Sequence, residues 1–138
     1  MERKASCSCG QLSILVEGEP NIVAACNCLE CQKRTGSVFG VSSYFDDGKV
    51  LKKNGKSNVY QRTSESGLNV EQNFCPNCGS TVYWKADVFE KSTGIAVGCF
   101  LEPDFPEPNF TVWNSSKHSW VTFPEHWVSS ETQEIKDE

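Results

Sequence analysis

The sequence lacks the features that mark a membrane-spanning or nucleic-acid-binding protein. No apolar run approaches the roughly 20 residues that a transmembrane helix needs. The formal net charge is −5, and the basic residues are scattered, apart from a group that we assign to a solvated hairpin edge: Lys49, Lys52, Lys53 and Lys56. Because nucleic acids and anionic membranes select basic surfaces, we expect neither to be a partner.

A secretory signal is also missing from the sequence. The chain begins Met1-Glu2-Arg3-Lys4 and continues with Ala-Ser-Cys rather than with an apolar stretch. We therefore expect a cytoplasmic protein, in which thiols stay reduced. The eight cysteines are then predicted to bind metal. Disulfides are the alternative if the chain is a trimmed secreted fragment.

With 138 residues, no repeat and no linker, the chain is predicted to form one mainly β domain over residues 1–128, followed by a polar, frayed tail over 129–138. One helical turn is predicted at Leu29–Arg34, ending before Gly36. The three prolines of Leu101–Asn109 predict an irregular connection. Alternating and short apolar runs predict eight strands: Gln11–Val16, Asn21–Ala25, Ser37–Phe45, Lys49–Lys52, Asn58–Arg62, Leu68–Phe74, Thr81–Lys85 and Ile95–Phe100.

Two cysteine pairs predict a closed, structural zinc site. Cys7 and Cys9 form a Cys-x-Cys-Gly, and Cys75 and Cys78 form a Phe-Cys-Pro-x-Cys-Gly. The glycine after each pair permits a tight turn whose backbone N–H groups point at the sulfurs. Four thiolates are a common structural zinc set, which would join the start of the chain to its middle. A redox role for Cys75 and Cys78 is rejected, because a strand rather than a helix is predicted to follow them.

Cys26, Cys28 and Cys31 predict a second zinc site that lacks one ligand. A Cys-x-Cys on extended chain places two sulfurs on one face, and the next helical turn brings in the third. Three thiolates with an open fourth position are typical of a catalytic zinc. Three residues are candidates to close the site instead: Cys99, His118 and His126. We interpret Cys99 as a core residue, since a lone cysteine at the end of an apolar strand is more often packed than bound.

The order and spacing of these motifs resemble the glutathione-dependent formaldehyde-activating enzyme family, which includes centromere protein V. The resemblance rests on the Cys-x-Cys-Gly near the start, on Cys26-Asn27-Cys28-Leu29-Glu30-Cys31-Gln32-Lys33-Arg34-Thr35-Gly36, and on Phe74-Cys75-Pro76-Asn77-Cys78-Gly79. It spans Cys7 to Gly79. The Trp120–Trp127 segment is similar to the family's closing segment, though less specifically.

This resemblance implies a single-domain, zinc-stapled β-tent fold with a short helical turn after the second cysteine cluster. It implies two Zn²⁺ ions, one structural at Cys7, Cys9, Cys75 and Cys78, and one catalytic at the second cluster. The implied activity is that of a carbon–sulfur lyase joining glutathione, the co-substrate, to formaldehyde. The partners would be a small thiol and a small aldehyde.

Several other side chains are weighed as parts of a ligand site. Lys33 and Arg34 are predicted to attract the carboxylates of glutathione, with a solvated helix end as the alternative. Ser42 or Ser43 is a candidate hydrogen-bond donor. Most aromatic residues are expected in the core: Phe39, Tyr44, Phe45, Trp84 and Trp113. For the late aromatic residues Trp120, Phe123 and Trp127, covering the sheet is favoured over walling the zinc cleft.

Two other functions compete with the enzyme hypothesis. A non-catalytic, zinc-folded module that binds a protein or carries a thiol would have a fourth protein ligand at the second metal. A nucleic-acid role ranks third, because the chain is acidic and has no basic stripe.

Overall fold

A computed structural model describes residues 1–64 and 67–133 of the chain. One helix, α1, spans Leu29–Thr35, and four short 3₁₀ turns cover Asp47–Lys49, Asp87–Phe89, Val97–Phe100 and Asn114–Ser116. The strands are β1 Glu2–Ser6, β2 Ser13–Glu17, β3 Ile22–Cys26, β4 Gly40–Asp46, β5 Val50–Asn54, β6 Asn58–Thr63, β7 Asn69–Phe74, β8 Thr81–Ala86, β9 Ser92–Ala96, β10 Phe110–Val112 and β11 Val128–Ser129. The predicted class is confirmed: one mainly β domain with one short helix directly after the second cysteine cluster.

These strands form two sheets. A three-stranded sheet has the order β1-β2-β5 and is antiparallel. An eight-stranded sheet has the order β11-β10-β3-β4-β9-β8-β7-β6, and its only parallel pairings among the described residues are β11 with β10 and β10 with β3.

The main core lies between the two sheets. Ile14 and Val16 of β2 are fully buried against Phe45 of β4 and Ile95 of β9. The alternation of side chains along a strand places the neighbouring residues of the large sheet on its other face. That face is therefore free to line a cavity.

A glycine allows two aromatic side chains to meet on this other face. Tyr44, Gly94 and Trp84 are register partners across β4, β9 and β8. The indole Nε1 of Trp84 donates a hydrogen bond to Tyr44 Oη at 3.2 Å, directly over Gly94. A Cβ at position 94 would collide with the Trp84 indole.

We expect Gly94→Ala to destabilise the fold by about 1–3 kcal/mol, because overpacking displaces the Trp84 ring from its site. Urea denaturation measures the loss. Gly48→Ala is the matched control, since a Cβ at position 48 meets nothing within 4 Å, and its stability should not fall. Equal stabilities for the two variants would contradict this account of Gly94.

Some predicted boundaries are wrong. The strand predicted at Ile95–Phe100 is mostly a 3₁₀ turn, because the chain leaves the sheet after Ala96. The strand predicted from Ser37 begins at Gly40. Strands β1, β10 and β11 were not predicted. The helix and its end before Gly36 are confirmed, as is the irregular connection at 101–109. The sequence Ser66-Gly67 also predicts a turn, and Ser66 lies outside the described residues.

The tail predicted from Ser129 onward is not frayed over its first five residues. Ser129 belongs to β11, and Ser130 N donates to Thr111 O at 2.9 Å. Trp113 Nε1 donates to Gln133 Oε1 at 3.0 Å. The domain therefore extends beyond the predicted boundary at 128, and residues 134–138 lie outside the described range. No described helix is long and apolar enough to cross a membrane.

Candidate metal centres and the cavity beside them

Four cysteines converge where the two sheets meet. Cys7 and Cys9 lie between β1 and β2, and Cys75 and Cys78 lie between β7 and β8. All four sulfurs lie within 4.8 Å of one another, and Cys9 Sγ is 3.7 Å from both Cys7 Sγ and Cys75 Sγ. Sulfurs placed tetrahedrally around zinc at 2.3 Å are about 3.8 Å apart. The donor set and its spacing therefore fit a zinc ion.

Backbone and side-chain donors surround these sulfurs. Leu12 N lies 3.3 Å from Cys7 Sγ, and Asn77 N lies 3.3 Å from Cys75 Sγ. Gln11 Nε2 donates to Cys75 Sγ at 3.0 Å. Hydrogen bonds, first from Ser80, lower the pKa of Cys78 to about 5. Such donors favour the thiolate form that zinc requires.

The second cluster is built at the junction of β3 and α1. Cys26 ends β3, Cys28 is the N-cap of α1, and Cys31 lies in its first turn. The three sulfurs lie within 4.8 Å of one another. Cys31 N donates to Cys28 Sγ at 3.3 Å, so Cys28 caps the helix as well as facing its partners. Gly36 ends the helix in a left-handed conformation with φ of 67°, which glycine adopts without strain.

Asn27 holds the Cys26–Cys28 segment in place. Its side chain is completely buried, and its Nδ2 donates to Val112 O at 2.9 Å and to Asn114 Oδ1 at 2.9 Å. The backbone N of Asn27 also donates to Val112 O, at 3.1 Å. With Asn27 pointing into β10, the flanking cysteines must point the other way. The short parallel strand β10 thus positions both sulfurs.

The charge in this cluster is concentrated on one sulfur. Hydrogen bonds from Cys26 and Cys28, together with the positive charges of Arg34 and Arg62, lower the pKa of Cys31 to about 3. The same sulfur–sulfur hydrogen bonds, first the one with Cys28, raise the pKa of Cys26. The cluster therefore favours a thiolate beside two guanidinium groups.

None of the three candidates for a fourth ligand lies in the second cluster as the structure describes it. Cys99 packs beside the core, and its Sγ lies 3.8 Å from Thr81 O. Its burial raises the pKa of its thiol. The Nε2 of His118 lies 3.1 Å from Gln32 Oε1, and the Nε2 of His126 lies 3.2 Å from Glu107 Oε2.

The three sulfurs open into a cavity of about 930 Å³, part of it open to solvent. It lies on the face of the large sheet that is turned away from the small sheet. Its lining of mostly apolar side chains with a few polar and charged groups is typical of a small-molecule site. One row of register partners crosses its floor from β3 to β7: Ile22, Tyr44, Gly94, Trp84 and Gln72.

Two arginines line this cavity. The guanidinium of Arg34 lies 4.5 Å from the centre of the Trp84 ring, and it passes over Gly40, where a Cβ would lie 2.7 Å from Arg34 Nη2. Arg62 reaches in from β6, and its buried Nε has no hydrogen-bond partner among the described residues. No acidic side chain in residues 1–64 and 67–133 forms an ion pair with either arginine.

Lys33, which was predicted to bind glutathione together with Arg34, does not line the cavity. The Lys33 side chain is 76% exposed, and its Nζ lies 4.0 Å from Glu30 Oε1. Of the two serines weighed as hydrogen-bond donors, Ser42 faces the cavity, whereas Ser43 Oγ donates to Ile95 O at 3.0 Å on the other side of β4.

The family comparison agrees with this geometry. The family model described as "Glutathione-dependent formaldehyde-activating enzyme" matches residues 2–116, which include all seven clustered cysteines. The chain belongs to this family. No curated protein matches the chain.

A solved structure with the same fold is a protein of Rhodobacter sphaeroides that was a structural-genomics target. It is 21% identical in sequence and superposes with a TM-score of 0.57, over 75% of this chain and 91% of that chain. At this identity the likeness shows the fold alone.

In this member of the glutathione-dependent formaldehyde-activating enzyme family, several residues that line the cavity were not predicted from the sequence. Trp84 is buried in a core cluster against which Tyr44 packs, and Trp113 packs against the cysteine cluster, as expected of core residues. All three also line the cavity, which was not predicted. Arg62 and Gln72 were not singled out at all. The late aromatic residues do not line the cavity: Phe123 stacks on Trp127 with ring centres 5.5 Å apart, and Trp120 is 70% exposed. Register with Cys26 through β3 and β4 is the signal that identifies the cavity-facing positions.

Proposed function

We propose that this protein is a zinc-dependent enzyme that joins the thiol of glutathione to a small aldehyde, as an S-(hydroxymethyl)glutathione synthase of the carbon–sulfur lyase class does. The observation that carries the proposal is the cluster of three sulfurs that opens into the cavity, with no fourth protein ligand among the described residues. Family membership supports glutathione and formaldehyde as the reagents. We expect the enzyme to work in the cytoplasm, where glutathione keeps thiols reduced.

The two metal sites have different tasks in this proposal. Cys7, Cys9, Cys75 and Cys78 hold a structural zinc, whereas Cys26, Cys28 and Cys31 hold a catalytic one. A zinc ion held by three thiolates supplies a Lewis acid and a coordination position for an incoming sulfur or water. Asn27 and the α1 N-terminus hold the three sulfurs at the cavity wall, so a zinc ion bound by them would be accessible from the cavity.

The two arginines orient the thiol. Glutathione carries two carboxylates, and Arg34 and Arg62 are cavity cations without acidic partners among the described residues. A guanidinium binds a carboxylate through two parallel hydrogen bonds, which fixes its direction as well as its distance. The stacking of Arg34 on Trp84 holds one of these groups in place before the ligand arrives.

Ser42 is the hydroxyl that we assign to the aldehyde oxygen. Ser42 is the register partner of Ala24. This pair lies two residues along β3 and β4 from the Cys26–Gly40 pair, on the same face of the sheet. When the thiol sulfur attacks the carbonyl carbon, negative charge develops on the carbonyl oxygen, and a nearby hydroxyl stabilises that charge. The proton lost by the thiol ends on this oxygen, so the reaction needs no oxidant or reductant.

Substitution of the metal with Co²⁺ tests the proposal. We expect glutathione to change the visible absorption of Co²⁺ at the second site. We also expect the protein to accelerate the conversion of formaldehyde to the adduct, as followed by NMR. An absorption change without adduct formation would favour the alternative, a non-catalytic thiol carrier. No absorption change at either site would refute thiol binding and with it the proposal.

Arg34→Gln and Arg62→Gln are each expected to weaken glutathione binding by about tenfold or more, because a charged hydrogen bond is lost. Neither change should affect 2-mercaptoethanol, which has no carboxylate. Titration of the Co²⁺ protein with both thiols measures the difference. Lys33→Gln is the matched control, and it should bind both thiols as the parent does. Equal losses for both thiols would show that the arginines act on the metal site rather than on the carboxylates.

A further inference from the structure

Part of the cavity wall is an apolar patch. It consists of Ile22, Val70, Ala86 and Phe89, all of which line the cavity. Val70 and Ala86 are register partners across β7 and β8. The ring of Phe89 packs on Tyr44 with centres 4.5 Å apart, and Tyr44 is the partner of Ile22. Tyr44 also packs against the buried cluster that contains Val70 and Ala86, so the patch is continuous.

The patch lies away from the cysteines. Cys26 pairs with Gly40, and Ile22 pairs with Tyr44, four residues further along both strands. Four residues of extended chain cover about 13 Å. Ala86 is a further two residues along β8 from Trp84, whose ring lies under Arg34. A ligand held at the sulfurs must therefore extend well beyond its reacting atoms to touch the patch.

The core between the sheets does not include this patch, because that core is made of other side chains, on the opposite face of the large sheet. Val70 and Ala86 are 8% and 7% exposed and pack with Trp84 in a separate buried cluster, whereas Ile22 and Phe89 are half-buried. The space in front of the patch is the cavity, and at its rim Val88 is 44% and Leu68 is 39% exposed. An apolar wall that remains open to an aqueous cavity is typical of a surface that binds an apolar group.

The reagents of the proposed reaction carry no large apolar group that this wall could bind, although Arg62 is the register partner of Val70. Formaldehyde adds one carbon, and glutathione is a charged, amide-rich tripeptide whose carboxylates are assigned to Arg34 and Arg62. We propose that the aldehyde partner of this enzyme carries an apolar chain or ring, which the patch of Ile22, Val70, Ala86 and Phe89 binds. This inference rests on the proposed function.

The chemistry is the same as for formaldehyde. The thiol sulfur bonds to the carbonyl carbon, the carbon–oxygen double bond becomes a single bond, and the thiol proton ends on the oxygen. The product is the hemithioacetal of the longer aldehyde, and nothing is oxidised or reduced. The apolar group contributes binding and orientation at a distance from the reacting atoms.

The test uses unreactive glutathione thioethers with the zinc-loaded protein. S-methylglutathione and S-hexylglutathione differ only in apolar length, and calorimetry measures their binding without turnover. Because each buried methylene strengthens binding by about fourfold, we expect the hexyl compound to bind about tenfold tighter or more. Hexanal and formaldehyde, compared in adduct formation with glutathione, should show the same preference for the longer chain.

Two cavity variants are compared with a surface control. Phe89→Ser removes part of the wall, and Ala86→Leu fills the space in front of it. Each should reduce the hexyl-to-methyl affinity ratio by about threefold or more, with little change for the methyl compound. Leu51→Ser changes an exposed apolar residue of β5 outside the cavity, and its ratio should match that of the parent. Thermal unfolding checks that each variant is folded.

The outcomes separate this inference from the proposed function. If glutathione binds but the hexyl and methyl compounds have affinities within about twofold, the apolar partner is refuted and the proposed function stands. An unchanged ratio in both folded cavity variants also refutes it. If neither thioether binds and the Co²⁺ spectrum does not respond to glutathione, the proposed function fails, and this inference fails with it.

Discussion

A Cys28→Ser variant is expected to fold, to bind one zinc ion per chain instead of two, and to lose thiol binding and at least about 99% of the adduct-forming activity. The physical reason is that a serine hydroxyl is not ionised at neutral pH and is a poor zinc ligand. Cys28 is also the N-cap of α1, where it accepts a hydrogen bond from Cys31 N. Serine is among the best N-cap residues, so the helix should survive the change.

Metal analysis, circular dichroism and the Co²⁺ titration together measure this outcome. Cys99→Ser is the matched control, because Cys99 lies outside both clusters and a serine hydroxyl can keep its contact with Thr81 O. The control should keep both metals and the parent activity. Two bound zinc ions in Cys28→Ser, or one in Cys99→Ser, would show that the ligands of the second site are assigned wrongly.

The cysteine clusters could be predicted because their geometry is local. In Cys75-Pro76-Asn77-Cys78-Gly79, two ligands lie three residues apart on one tight turn, and Gly79 has a φ of 81°, which the turn requires. The cluster at Cys26–Cys31 is equally local, since a strand end and one helical turn generate it. Spacing along the chain is sufficient in both cases, because few residues separate the ligands within each motif.

The cavity could not be predicted in the same way, because its walls come from distant strands. Arg62 belongs to β6, at the far edge of a sheet in which five strands separate it from the β10 strand that holds Asn27. Nothing near Arg62 in the sequence relates it to Cys31. Its role follows only from the curvature and order of the large sheet, which are tertiary properties.

The aromatic residues show why burial could be predicted but the face of the sheet could not. Trp84 and Tyr83 are neighbours on β8 and are both buried, but Tyr83 contributes to the core between the sheets while Trp84 lines the cavity. Both faces of this strand are apolar, so alternation does not tell one from the other. The face that becomes core is decided by where the three-stranded sheet packs.

The two short parallel strands, β10 and β11, were not predicted at all. Phe110–Val112 and Val128–Ser129 have three and two residues, which is too short for a periodic pattern. β11 pairs with β10, and the pairing of β10 with β3 positions Asn27, whose Nδ2 donates to Val112 O and Asn114 Oδ1. The strands that could not be predicted from the sequence thus support the cysteines that could be predicted most easily.

Loss of the proposed structural zinc is expected to have the largest effect on stability. Cys75→Ser should leave the chain unfolded, or lower its midpoint of thermal unfolding by more than about 15 °C. A structural zinc contributes about 10–16 kcal/mol in small zinc domains, whereas a typical domain is stable by about 5–15 kcal/mol in all. Cys75 is completely buried, and its site joins the β1–β2 hairpin of the small sheet to the β7–β8 hairpin of the large one.

Thermal unfolding followed by circular dichroism measures the effect, and a strong zinc chelator added to the parent protein should reproduce it. Cys99→Ser again serves as the control, and its unfolding midpoint should fall by no more than a few degrees. The comparison with Cys28→Ser is decisive. We expect Cys75→Ser to unfold or strongly destabilise the protein, and Cys28→Ser to abolish activity in a folded protein. If Cys75→Ser unfolded within a few degrees of the parent, the four-sulfur site would not hold the two sheets together, and the division into one structural and one catalytic zinc would lose its basis.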